Sequence, residues 1–163
     1  MAQGDSYDGA TAIAVDDSGN VYVTGSSTGS GTGSDYATIK YDSLGQEQWV
    51  ARYNGPGNDA DLATGIAIDG SGNVYVTGGS GDSVTGSDYA TIKYDSSGQE
   101  QWVARYHEPK NFGARASDIA IDRLGNAYVT GAVRKSPIQY DWDYATVKYT
   151  PDRTPRAHPR PTS

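Results

Sequence analysis

Two tryptophans occupy the same place in a repeated segment, and they are the first residues whose chemistry suggests a binding site. Trp49 and Trp102 lie in the sequence GQEQWVARY, which occurs at 45–53 and again at 98–106. An exposed indole ring can stack on a sugar, and a weak site that is repeated in successive units gains avidity. The alternative, which a repeated strand position favours, is that each indole packs between neighbouring structural units.

A third tryptophan belongs to a segment that differs from its counterparts in the other repeats. Trp142 ends the sequence GAVRKSPIQYDW at 131–142, which also contains Arg134 and Tyr140. Loops that depart from the pattern of a scaffold often carry specific contacts, although most variable loops are only surface. If one unit holds a specific contact, we predict that it uses Arg134, Tyr140 and Trp142.

Three aspartates each open a turn of the form D-x-x-G-N. Asp16, Asp69 and Asp122 are the residues concerned. A carboxylate beside asparagine and backbone oxygens is a weak candidate for calcium, but the spacing is not that of an EF-hand loop. Asp and Asn also close such turns through local hydrogen bonds. The sequence therefore predicts structural turns and no cofactor, with calcium as the weaker alternative.

Catalytic chemistry has few candidate residues in this chain. The sequence has no cysteine, and its two histidines are His107 and His158. This excludes most zinc sites and most catalytic triads, and no Gly-x-Ser-x-Gly elbow is present. An active site shared by repeated units needs different residues from different units, yet segments 33–53 and 86–106 are identical at 20 of 21 positions. We predict that the protein is not an enzyme.

Composition excludes further classes of function. The chain has 163 residues, is 36% hydrophobic and carries a net charge of -7, which fits one acidic domain and argues against a nucleic-acid partner. No run approaches the roughly 20 apolar residues of a membrane-spanning helix. The first residues lack the basic and then apolar start of a signal peptide. We expect no membrane insertion and no signal peptide in this chain.

Internal repeats determine the predicted organisation. The sequence GNVYVTG at 19–25 returns at 72–78 and, as GNAYVTG, at 125–131. Each unit also contains segments such as TAIAV, DYATIKY and EQWVARY, which are rich in β-forming residues and separated by glycine-bearing turns. We predict a four-stranded antiparallel meander per unit, with the glycine-rich segments at 25–34 and 78–87 as loops.

Alternation along these strands places apolar or aromatic side chains on both faces of each sheet, so both faces must be covered. Radial stacking of four-stranded sheets achieves this and gives the blades of an all-β propeller. We predict one domain at 1–150, with blades at about 10–53, 63–106 and 116–150. Four prolines lie in 151–163, where the fourth strand of the last blade would be expected, and proline disfavours a strand there. This predicts a disordered Pro/Arg-rich tail, an incomplete last blade and eleven strands in total.

The motif A-x-x-I-A-V-D-x-x-G-N-V-Y-V-T-G, found with small variations at 10–25, 63–78 and 116–131, closely resembles the bacterial β-propeller repeat family known as SBBP repeats. The resemblance implies a multi-bladed module of a larger exported protein, at the cell surface or secreted. It implies no particular reaction.

Three units are fewer than the four to eight blades that usually close a propeller. Either the chain is a fragment of a larger repeat protein, which we favour, or it is a protomer whose copies complete one ring. The expected partners are missing blades or other copies, together with a glycan or protein ligand. The predicted function is a non-enzymatic structural or binding module, and the alternative is an oligomeric, lectin-like carbohydrate-binding propeller.

Overall fold

The computed structural model describes residues 8–29, 31–82, 86–107, 113–136 and 141–152 and the backbone of 155–157. The strands are β1 (Asp8–Val15), β2 (Val21–Gly29), β3 (Gly33–Tyr41), β4 (Glu47–Tyr53), β5 (Asp61–Ile68), β6 (Val74–Asp82), β7 (Gly86–Tyr94), β8 (Glu100–Tyr106), β9 (Ala114–Ile121), β10 (Ala127–Arg134), β11 (Trp142–Tyr149) and β12 (Pro155–Ala157). Within the described ranges, no helix is long and apolar enough to cross a membrane.

Each repeat forms one four-stranded antiparallel sheet. The strand order is β1-β2-β3-β4 in blade 1 and β5-β6-β7-β8 in blade 2. In blade 3 the same order runs from β9 to β12. The predicted meander and the all-β propeller-type fold are therefore confirmed.

The glycine-rich segments are largely strand, so the prediction of loops at 25–34 and 78–87 is wrong. In blade 1, β2 continues to Gly29 and pairs with β3 over its whole length. A Cβ atom at Gly25 would overlap the backbone carbonyl oxygen of Gly9 in the neighbouring strand. Glycine is thus required by the close approach of two backbones.

The third blade has a fourth strand, contrary to the prediction that prolines exclude one. β12 pairs with β11, with Pro155 opposite Tyr149 and Ala157 opposite Val147. Pro155 is the first residue of an outer strand, where the missing N–H is tolerated. With three residues against seven in β4 and β8, this strand still leaves the last blade incomplete at its outer edge. Residues 158–163 of the predicted tail lie outside the described residues.

The two faces of each blade differ in composition. We call aromatic face the side of blade 1 formed by Tyr22, Thr24, Tyr36, Thr38, Trp49 and Tyr53, and aliphatic face the side formed by Ile13, Val15, Val21, Val23, Ile39 and Val50, together with their counterparts in blades 2 and 3. The aromatic face of blade 1 packs on the aliphatic face of blade 2, and that of blade 2 on the aliphatic face of blade 3. The core therefore consists of two interfaces of one kind.

The turns between the first two strands of each blade are closed by the predicted aspartates. In blade 1, the Gly19 amide donates to the Asp16 carbonyl at 2.9 Å, and Gly19 has a φ of 78° that suits glycine. The Asp16 carboxylate accepts from the amides of Ser18 and Asn20, from Asn20 Nδ2 and from Tyr22 Oη, at 2.9, 2.9, 2.8 and 3.0 Å. The corresponding carboxylates at 69 and 122 accept the same four bonds.

These bonds perturb the titration of the turn carboxylates. Burial acts to raise the pKa of Asp16, but the hydrogen bonds from Asn20, Tyr22 and Ser18 outweigh it and lower that pKa. At Asp122 the bond from the Asn126 side chain is the largest influence, and the pKa falls to about 2. The charged form is the one that the turn stabilises.

We expect Asp16→Ala to lower the free energy of unfolding by about 1 kcal/mol at pH 7, because four donors lose their acceptor. The neighbouring substitution Asp17→Ala is the matched control, since it removes the same charge from an exposed position. Because the folded pKa of Asp16 is depressed, its contribution is complete above the unfolded pKa and is lost as the pH falls through the folded pKa. Urea titrations at pH 7 and at pH 2.5 measure this. Equal effects of the two variants at pH 7 would contradict the expectation.

Candidate functional site

The aliphatic face of blade 1 is open to solvent. Ile13 is 67% exposed, whereas Ile119, at the same position in blade 3, is 7% exposed under blade 2. Val23 is partly exposed, and its counterpart Val76 is fully buried. The same positions are thus buried or partly buried in blades 2 and 3 and more exposed in blade 1, since no blade covers them there.

This open face contains a cavity. It has a volume of about 280 Å³ and is bordered by apolar residues, among them Gly25, Ala37, Ile39 and Val50, with Asp8 and Arg52 at one end. In blade 2 the equivalent space is filled, because Tyr36 of blade 1 donates from Oη to the Ala90 carbonyl at 3.4 Å. The cavity is therefore the place that an incoming aromatic side chain would occupy.

The aromatic face of blade 3 is open as well. Tyr144 is 56% exposed, while its counterparts Tyr36 and Tyr89 are 1% and 0% exposed. Thr130 is also exposed, whereas Thr24 is buried in blade 1. Each end of the stack of blades therefore presents one face of the kind that forms the internal interfaces.

The structure places Trp49 and Trp102 between blades. Trp102 is 9% exposed, contacts Tyr75 of its own blade and Tyr149 of the next, and donates from Nε1 to the Pro151 carbonyl at 3.3 Å. Trp49 makes equivalent contacts across the first interface and donates to the Ser96 carbonyl at 3.2 Å. Of the two alternatives, the structure shows packing between blades. Stacking of these rings on sugars stays a prediction.

The divergent segment of blade 3 is partly described. Trp142 begins β11, is 49% exposed and lies opposite Arg134 in the strand register. Beside this pair, Lys135 and Asp143 form an ion pair at 2.7 Å. Tyr140, the third predicted residue, lies outside the described residues. The structure thus brings Arg134 and Trp142 together.

A polar network that the sequence analysis missed lies between blades 1 and 2. The buried Asp88 carboxylate binds Arg105 at 3.0 Å and His107 at 2.9 Å. Arg105 also donates to Ser80 at 2.7 Å and to Tyr53 Oη of blade 1 at 3.3 Å. The repeated arginine of EQWVARY was the available signal, but its partners come from other strands and another blade.

A second carboxylate borders this network. Asp61 is fully buried and accepts from the Gly55 amide at 2.6 Å. Burial raises the pKa of Asp61, although this hydrogen bond opposes the effect. The histidine and the carboxylates of this region are thus held by contacts that join strands and blades.

In the part of the chain that the structure describes, no three His, Cys, Asp or Glu residues are placed to hold one ion. The weak calcium candidates Asp16, Asp69 and Asp122 lie in separate turns, each with its own four donors.

We expect Trp102→Ala to lower the free energy of unfolding by about 3 kcal/mol, because it removes a large side chain from an interface between blades. Trp142→Ala is the matched control and should cost less than about 1 kcal/mol, since that indole is half exposed. Urea unfolding followed by the circular dichroism of the backbone, a signal that does not depend on the tryptophans, measures the free energy of unfolding of both variants. A Trp102→Ala variant as stable as the control would show that the indole does not hold the blades together.

Comparison with protein families agrees with this architecture. A family model described as "SBBP: Beta-propeller repeat" matches residues 4–31, 48–83 and 115–132, half of the chain. No curated protein matches the sequence. Among solved structures, a fucose lectin from Kordia zhangzhouensis in complex with methyl-fucoside is similar with a TM-score of 0.47 and 12% identity, over 92% of this chain and 97% of that chain. Because these matches cover half of the chain and include strands of all three blades, the chain belongs to the SBBP β-propeller repeat family.

Proposed function

We propose that this chain is a non-catalytic structural and binding module whose open blade faces dock further blades. The observation that carries the proposal is the difference between Ile13, 67% exposed, and Ile119, which is 7% exposed at the same position of a covered blade. A large exposed apolar surface on a soluble domain usually marks an interaction site. The family supports the setting of a larger exported bacterial repeat protein.

The chemistry of the faces defines what they accept. An aromatic face brings tyrosine hydroxyls that need acceptors, and an aliphatic face offers backbone carbonyls beside apolar side chains. Tyr36 Oη donates to the Ala90 carbonyl and Tyr89 Oη to the Ala145 carbonyl, each at 3.4 Å. A docking blade must therefore present tyrosines to blade 1 or carbonyls and aliphatic side chains to blade 3.

The absence of catalysis is part of the proposal. Its support is that the histidine outside the tail, His107, contacts Asp88, whose other oxygen is bound by Arg105. Such a network of ion pairs connects strands, and this structural role does not require any of its side chains to react. The turn carboxylates likewise are engaged by protein donors, which supports a module that needs no cofactor.

Carbohydrate binding is the second candidate, and it is now favoured at a different place. The indole N–H groups of Trp49 and Trp102 donate to backbone carbonyls between blades. Trp142 instead is 49% exposed and lies opposite Arg134, the pairing of an aromatic ring with a polar donor that suits a sugar. A glycan array tests this, and binding that survives Trp142→Ala would contradict a site at this place.

The proposal predicts that an added blade stabilises the protein. In a four-blade chain, residues 61–106 and then the connecting residues 54–60 are placed before residue 8, which reproduces the order in which blade 1 leads into blade 2. We expect the free energy of unfolding to rise by at least about 3 kcal/mol, because the aliphatic side chains of blade 1 become buried. Urea unfolding at concentrations where both chains are monomeric measures it.

The control for this experiment is the same four-blade chain with Tyr89→Lys in the added copy alone. The added blade then keeps its strands, but a charge replaces the tyrosine that should enter the cavity of blade 1. This control should show little of the gain. An unmodified four-blade chain that is no more stable than the three-blade chain would overturn the proposed function.

A further inference from the structure

We infer that the blade docking on the aliphatic face of blade 1 is blade 3 of a second copy, so that copies associate head to tail. The inference rests on the proposed function and names the partner of the same surface. One chain carries one face of each kind at its two ends, as Ile13 and Tyr144 show by their exposures of 67% and 56%. A second copy therefore supplies what the first lacks.

The internal interfaces show which contact Tyr144 would make. In both of them a tyrosine at this position donates to the backbone carbonyl of an alanine, Tyr36 to Ala90 and Tyr89 to Ala145. The equivalent alanine of blade 1 is Ala37, which borders the cavity of that blade. The Tyr144 hydroxyl of one copy is thus assigned to the Ala37 carbonyl of the other.

Glycines in the covered blades show why the cavity of blade 1 fits a tyrosine. A Cβ atom at Gly78 would lie 2.7 Å from the Tyr36 hydroxyl, and one at Gly131 would lie 2.8 Å from the Tyr89 hydroxyl. Glycine at these positions therefore leaves room for the incoming ring. Gly25 occupies the same place in blade 1 and borders the cavity there, so the receiving site of blade 1 is already formed.

A second contact comes from the inner strands. Thr11 donates from Oγ1 to the Ala63 carbonyl at 2.7 Å, and Thr64 donates to the Ala116 carbonyl at 2.8 Å. The equivalent residue of blade 3 is Ser117, which is exposed and, like the threonines, has a side-chain hydroxyl. Its acceptor on a second copy would be the carbonyl at position 10 of blade 1.

The contact between copies is weaker than the internal ones. In blades 1 and 2 a tryptophan pairs with a lysine, Trp49 with Lys40 and Trp102 with Lys93. In blade 3 the register gives this place to Arg156, opposite Lys148. Since the indole bridges both internal interfaces, the contact between copies lacks this bridge, and we expect it to dissociate on dilution.

The interface joins two different patches, so it is heterologous. Such an interface closes into a ring or continues into a filament. Two copies of this chain give six blades, within the usual four to eight of closed propellers. The expected assembly is a dimer that has two identical interfaces.

The test uses two variants that each disable one face. Ile13→Lys places a charge on the aliphatic face of blade 1, and Tyr144→Lys places one on the aromatic face of blade 3. Both positions are exposed, so folding should be unaffected. Leu44→Lys is the matched control, because Leu44 is 82% exposed in a turn away from both faces.

Sedimentation velocity and native mass spectrometry over a range of concentrations provide the measurement. We expect wild type and Leu44→Lys to form dimers, and each face variant alone to need at least about tenfold higher concentration for association. An equal mixture of the two face variants should form a 1:1 complex, since each supplies the intact face that the other lacks. This rescue is specific to a heterologous interface.

Two results would overturn the inference. One is a wild-type chain that stays monomeric throughout, and the other is a mixture of face variants that associates no better than either variant alone. The four-blade chain separates these failures from that of the proposed function. A monomeric wild type together with a stabilised four-blade chain would mean that the blades docking on this face come from another protein.

Discussion

The structure depends on hydroxyl groups that are buried between blades, of which the tyrosine hydroxyl finds its acceptor only in the next blade. Thr24 and Thr38 share a hydrogen bond at 3.0 Å on the aromatic face, and both are 1% exposed. Tyr36 beside them has its acceptor in blade 2, at the Ala90 carbonyl. Since an unpaired polar group in an apolar interior is costly, a tyrosine buried at this position requires a backbone carbonyl of the neighbouring blade. A single unit is therefore half of an interface, and stacking follows from its composition.

Glycine determines how closely the blades approach. A Cβ atom at Gly78 would meet both the Leu62 carbonyl oxygen of the neighbouring strand and the Tyr36 hydroxyl of the preceding blade. Any side chain there would separate two strands of one sheet and also exclude the tyrosine of the preceding blade. The repeated VTG sequence thus contributes to the sheet and to the interface at once, which explains why this part of the unit recurs three times.

The fold could be predicted from the sequence because its signals are local. Repeat spacing, alternation in DYATIKY and a glycine after each D-x-x turn define strands and their order without any knowledge of distant contacts. The errors have the opposite origin. β12 owes its existence to pairing with β11, and the strand character around Gly25 depends on a neighbouring backbone. The network of Arg105 includes Tyr53, which lies 52 positions away in another blade.

The two internal interfaces are not equivalent, and their difference indicates what the repeats must keep. At the second interface Ala114 and Val133 lie opposite each other and are buried, where blade 2 has the pair Asp61 and Ser80. An apolar pair has thus replaced a polar one at the same register position, and the blades still pack. The tyrosine and threonine that donate across each interface are the same residue types in both, Tyr36 and Thr11 at the first and Tyr89 and Thr64 at the second, and Gly78 is matched by Gly131. Because those positions carry the hydrogen bonds and the close backbone approach, they determine which faces can dock. The pair at 61 and 80, or at 114 and 133, can be polar or apolar without loss of packing.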